Sequence, residues 1–104
     1  MRDRGHDEAM AELYRDDPAF AVELINNILL DGEHAELLIV LRQLTTGFGG
    51  VQAVAEAAGL NPTQLYRTLS SEGNPSLSTI TAILRAMGLR LAVQAVPVQA
   101  ASAA

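Results

Sequence analysis

Apolar residues recur at helical spacing along most of the chain, and the breaks between the runs carry turn chemistry. Phe20, Ala21, Leu24, Ile25, Ile28 and Leu29 form one face of a helix that Asp17 caps, with Pro18 at its first position and Asp31-Gly32 at its end. Leu37, Leu38, Leu41 and Leu44 make a second stripe, from about Glu33 to Thr46, which the glycine-rich run before Val51 ends. The stretch 51–70 then reads as two short helices with a tight corner. Ala55 is small where those helices cross, Gly59 takes the turn, and Leu65 pins the second helix, while Val54, Ala58, Leu60 and Leu69 complete the inward face. Ser76 caps a last helix carrying Leu77, Ile80, Ile83, Leu84 and Met87, and Gly88 ends it.

From Leu89 the period changes. Leu89, Leu91, Val93 and Ala95 alternate with Arg90, Ala92, Gln94 and Val96, which predicts a short strand ended by Pro97. Such a strand has no partner inside a helical domain, so pairing across a dimer or with another protein is the expectation. Residues 1–16 are charged and almost without periodicity, and read as a flexible acidic arm, frayed or partly helical. The expected fold is therefore all-α, with five helices and a C-terminal strand in one domain over 17–98, a helix-turn-helix at 51–70 and a disordered tail at 99–104.

Charge alters this picture more than composition does. The 104 residues carry a net charge of -5, which argues against nucleic-acid binding by bulk charge. The distribution is uneven. Residues 1–50 hold ten acids and four arginines, for -6, whereas 51–104 hold two acids and three arginines, for +1. The half with the helix-turn-helix is thus not acidic. Every basic residue is arginine, a bias most simply ascribed to genome composition.

Several chemistries find no support. Cysteine is absent, so disulfides and thiol catalysis are excluded. His6 lies in the charged arm, and His34, among Asp31, Glu33 and Glu36, has too few partners for a metal site, so no metal and no cofactor are expected. Gly49-Gly50 lacks the lysine and the preceding strand of a nucleotide loop. No Ser-His-Asp or paired-carboxylate spacing points to an enzyme. No apolar run reaches the roughly 18 residues of a membrane span, and the acidic start is unlike a signal peptide, so a cytoplasmic protein is the expectation.

On the second helix of the motif, Thr63, Gln64, Tyr66, Arg67 and Ser70 face outward, a set of hydrogen-bonding side chains of the kind that reads a major groove. Gln52, in the first turn of the preceding helix, is placed to face a phosphate, and Asn74 lies in a turn suited to the DNA backbone. The run Leu65-Tyr66-Arg67-Thr68-Leu69-Ser70, with Glu72-Gly73-Asn74-Pro75, Leu77-Ser78-Thr79 and Met87-Gly88-Leu89-Arg90-Leu91, resembles the addiction-module antidote proteins, HigA-like antitoxins with a lambda-repressor-like, XRE-type helix-turn-helix. Asp17-Pro18, Phe20 and the Asp31-Gly32 break extend the resemblance over about 13–95.

That resemblance implies a small homodimeric repressor that neutralises a RelE/HigB-like toxin and represses their shared operon by binding double-stranded operator DNA. It places Arg67 as the residue for a bidentate guanine contact and Gln64 or Thr63 for adenine or a thymine methyl. Pro62 removes one N–H donor from that helix start. The acidic first half complements a basic toxin. The alternative is a stand-alone phage-type or metabolic repressor without a toxin; a hydrolase or a pure protein-interaction domain has less support. A symmetric dimer is expected to read a palindrome with half-sites about one helical turn, roughly 34 Å, apart. With few arginines on the binding face, the salt dependence of operator affinity should be shallow, corresponding to about four to six phosphates per dimer. A steep slope in a salt titration would show that further cations engage DNA.

Overall fold

A computed structural model of the protein describes residues 2–96. Six α-helices follow one another among these residues: α1 Arg2–Asp16, α2 Pro18–Asp31, α3 His34–Gly47, α4 Val51–Ala58, α5 Pro62–Thr68 and α6 Leu77–Ala86. The all-α class expected from the sequence is present, but the helix count and the strand require correction. Five helices fall where apolar spacing places them. The sixth, α1, occupies the segment read as an arm, and it packs on α3 and α2. Its apolar contribution is too sparse to register as a period: Ala11 and Tyr14 are buried and Met10 is half-buried. What seats it is polar. The Tyr14 hydroxyl donates to Gln43 Oε1 at 2.9 Å, and Gln43 Nε2 donates to Asp7 Oδ1 at 3.0 Å. Burial pushes the Tyr14 phenol above its ordinary pKa of 10.0, so it remains a donor.

The expected C-terminal strand does not form among the described residues. Residues 89–96 form neither helix nor strand, because their neighbours are helices with no free sheet edge to offer. Leu89 and Leu91 pack against the core, and the remainder of the segment is exposed. The tail expected at 99–104, and Pro97, lie outside the described residues.

The central element is α3. Leu38 and Leu41 are 0% exposed, and Leu37, Val40 and Leu44 are also buried, so this helix meets α1, α2 and α4 at once. The side chains of Ala21, Ile25, Val54, Ala55, Leu65, Leu69, Ile83 and Leu84 join it in one core. No helix among the described residues is long and apolar enough to cross a membrane; α3 and α4 are apolar enough together, but they bend by 94°. Caps fix the helix starts. Asp17 accepts from the Phe20 N–H at 3.2 Å, Asn61 from Gln64 at 3.0 Å and Ser76 from Thr79 at 3.2 Å.

Gly59 and Gly73, on either side of α5, are each required by the backbone. Gly59 ends α4 at φ 71°, a left-handed conformation, and the Leu60 N–H returns to the Ala55 carbonyl at 2.8 Å. At Gly73 the constraint is space: a Cβ would overlap the Thr68 carbonyl, so the turn after α5 can pass under that helix end only without a side chain. Gly73→Ala is expected to lower stability by about 1–3 kcal/mol, the range for forced overpacking. Urea denaturation reads this as a lower midpoint at unchanged slope; an unchanged midpoint would show that the turn relaxes freely.

Candidate nucleic-acid interface

The motif is built from α4, the three-residue turn Gly59-Leu60-Asn61, and α5. Its geometry follows from small and branched residues on the inward face. Ala55 and Val54 are fully buried, which lets α5 and α6 approach α4 closely, and Leu65 and Leu69 anchor α5. With both leucines inward, helical spacing sends the neighbouring residues outward.

Thr63, Tyr66 and Arg67 form one exposed strip on α5 at i, i+3 and i+4. Tyr66 is 70% exposed, so its ring is not packed on the edge of the motif. Gln64 is also exposed but lies on the other flank. With Asn61, Thr68 and Thr79 it lines a recess between α5 and the start of α6. Gln52 is exposed in the first turn of α4, and Asn74 is exposed in the turn leading to α6. Ser70 differs from the other six. It falls beyond the end of α5, is half-buried, and donates its hydroxyl to the Arg67 carbonyl at 2.7 Å. Its donor is therefore spent on closing the helix.

Sequence reasoning missed the residues that hold this face from behind. Arg42, half-buried on α3, donates to the carbonyl of Leu69, the C-cap of α5. A cation at a helix C-terminus meets both unpaired carbonyls and the negative end of the dipole. His34, two turns earlier on α3, bonds through Nε2 to the Gly73 carbonyl at 3.0 Å. The two side chains thus fix both ends of the turn that follows α5. A signal for Arg42 was available: it is the lone charge between Leu37 and Thr46 in an otherwise apolar helix, and such a charge needs a partner.

The start of α6 supplies further hydroxyls beside this surface. Ser76 Oγ lies 3.1 Å from Ser78 Oγ and 3.0 Å from Thr79 Oγ1. Leu77, between them, is exposed. The outward surface of α5 and α6 is rich in neutral hydrogen-bonding groups, with Arg67 its cation on α5.

These features define a small all-helical domain that presents a helix-turn-helix on one side of its core. The family model described as "Probable addiction module antidote protein" matches residues 7–95, and the chain belongs to that family. It is thereby an antitoxin of a toxin-antitoxin module, and a toxin is its partner in general terms. An uncharacterized protein of Haemophilus influenzae (strain Rd) is 27% identical over 73 residues, covering 70% of this chain and 75% of that protein. No solved structure matches the chain.

Replacing Arg42 by Met keeps the aliphatic stem and deletes the bond to the Leu69 carbonyl. The expected loss is about 1–2 kcal/mol of stability, at the lower end for a charged hydrogen bond because the group is only half-buried. Hydrogen exchange should quicken at the Leu69 and Ser70 amides before those of α3; uniform loss across the domain would contradict a local role.

Proposed function

We propose that this antitoxin represses its own operon by sequence-specific DNA binding through α5, and that it neutralises a basic RelE/HigB-like toxin. The observation that carries the DNA half is the strip Thr63-Tyr66-Arg67, with Gln64 on its flank: exposed hydrogen-bonding side chains on a helix whose other face is anchored by buried Leu65 and Leu69. A helix whose backbone is already fixed by buried anchors loses little backbone freedom on entering a major groove. In this reading Arg67 donates in a fork to guanine O6 and N7, while Gln64 or Thr63 reads adenine or a thymine methyl. Tyr66, Gln52 and Asn74 contact phosphate or sugar and set the register. Ser70 acts by holding the Arg67 carbonyl rather than by touching DNA.

The acidic half supports the toxin reading. Glu12 and Asp16 are exposed on α1, and the first fifty residues carry -6, opposite in sign to a basic toxin. Two surfaces of different charge let DNA and toxin be held on different parts of one small domain. A homodimer brings two α5 helices to a palindrome.

Gel-shift titration of DNA from upstream of the coding sequence tests the DNA half. Arg67→Ala and Gln64→Ala should each weaken binding by about 1–3 kcal/mol, roughly 5- to 150-fold, and relax selectivity at the base each reads. Unchanged affinity in both variants would remove α5 as the reading element. Ser70→Ala should weaken binding less than Arg67→Ala does, since its hydroxyl closes the helix.

A further inference from the structure

Between α2 and the non-helical segment 89–96 runs a groove of about 700 Å³. Its walls include Val22, Leu29 and Leu30 of α2, and Leu91 and Val93 of the segment. These side chains are unusually open for their type. Leu30 is 75% exposed and Val93 99%, and Val22, Leu29 and, just beyond the groove, Val96 are exposed as well. The same α2 helix buries Ala21 and Ile25 on its inner side, so it is apolar on two faces, only one of which the domain covers. Apolar side chains clustered in this way on a small domain mark a contact surface.

We infer that this groove is the interface with a second copy of the chain. Charge selects that occupant. None of the residues lining the groove is acidic, and one, Arg90, is basic, in a protein with twelve acids and a net charge of -5. Two copies that approach through α1 bring like charge together, whereas this surface brings apolar area together with the least repulsion. A basic toxin, by contrast, gains nothing from a surface without carboxylates. The contact is one of side chains: the Leu91 and Val93 side of one copy against Leu29 and Leu30 of its partner. The dimeric repressor proposed above gives the interface its use on DNA, and this inference rests on that reading for purpose, but on the groove for location.

Sedimentation equilibrium of the full chain at micromolar concentration, without DNA, tests it. The wild type should sediment at twice the chain mass. Leu30→Glu and Val93→Glu should each sediment at half the wild-type mass with unchanged far-UV dichroism, because both positions are exposed within one copy, and with a melting temperature that no longer rises with protein concentration as the wild type's does. Arg67→Ala should remain at the wild-type mass. A monomeric wild type, or variants that stay dimeric, overturns the inference. If the wild type is monomeric and Leu30→Glu instead abolishes capture of the co-expressed toxin, the groove belongs to the toxin and the inference is likewise wrong. A dimer lost in both variants, beside wild-type protein that shifts no operator DNA, upholds this surface and removes the DNA reading alone.

Discussion

The position of every other element depends on α3 being buried along most of its length. Leu38 and Leu41 have no exposed surface, and α1, α2 and α4 are each placed by packing on this helix. Burial alone fixes distance but not register, since apolar contacts are non-directional. Directional contacts supply the rest. Arg15 of α1 donates to the Gly47 carbonyl at the end of α3 at 3.1 Å, and Arg42 of α3 donates to the Leu69 carbonyl at the end of α5. Each arginine thus caps the C-terminus of a later helix, where the unpaired carbonyls and the dipole favour a cation. The chain of contacts runs from α1 through α3 to the helix that carries Arg67. In this molecule the acidic half is also the mechanical support of the other half.

That arrangement explains which parts of the fold were legible in the sequence. Helices α2 to α6 were, because Leu37, Leu38, Leu41 and Leu44, or Ile80, Ile83 and Leu84, repeat at the helical period and Asp17 and Ser76 cap where such residues cap. Helix α1 was not, because Ala11 and Tyr14 are too few to make a stripe and its docking rests on Tyr14, Gln43 and Asp7, a polar set that no single-segment pattern reveals. The alternation after Leu89 misled for a related reason. A two-residue period reports which side chains pack, as Leu89 and Leu91 do, but a strand also needs a backbone partner, and periodicity is silent on that.

The exposed residues of the motif followed from the sequence once Leu65 and Leu69 were placed inward. Six of the seven candidates are solvent-facing; Ser70 is half-buried, because the helix stops two residues before it. Arg42 and His34 were missed because their partners, the carbonyls of Leu69 and Gly73, are backbone atoms far along the chain. Side chain to backbone contacts leave no trace in residue type at the acceptor. Gly73 is the exception. Its conformation leaves no room for a Cβ above the Thr68 carbonyl, which gives the Glu72-Gly73-Asn74-Pro75 run a steric reason as well as a turn reason.

On the proposed reading, a DNA surface with few cations must rely on geometry, and a family of antidotes must also meet a toxin. The division of charge, -6 in residues 1–50 against +1 in residues 51–104, lets both demands be met without one surface opposing the other. The most direct test is co-expression with the adjacent open reading frame, scored by growth. The account predicts that the neighbour alone arrests growth, and that wild type and Arg67→Ala both restore it, because the toxin and DNA surfaces are separate. Absence of toxicity, or failure of the wild-type protein to rescue, would contradict it.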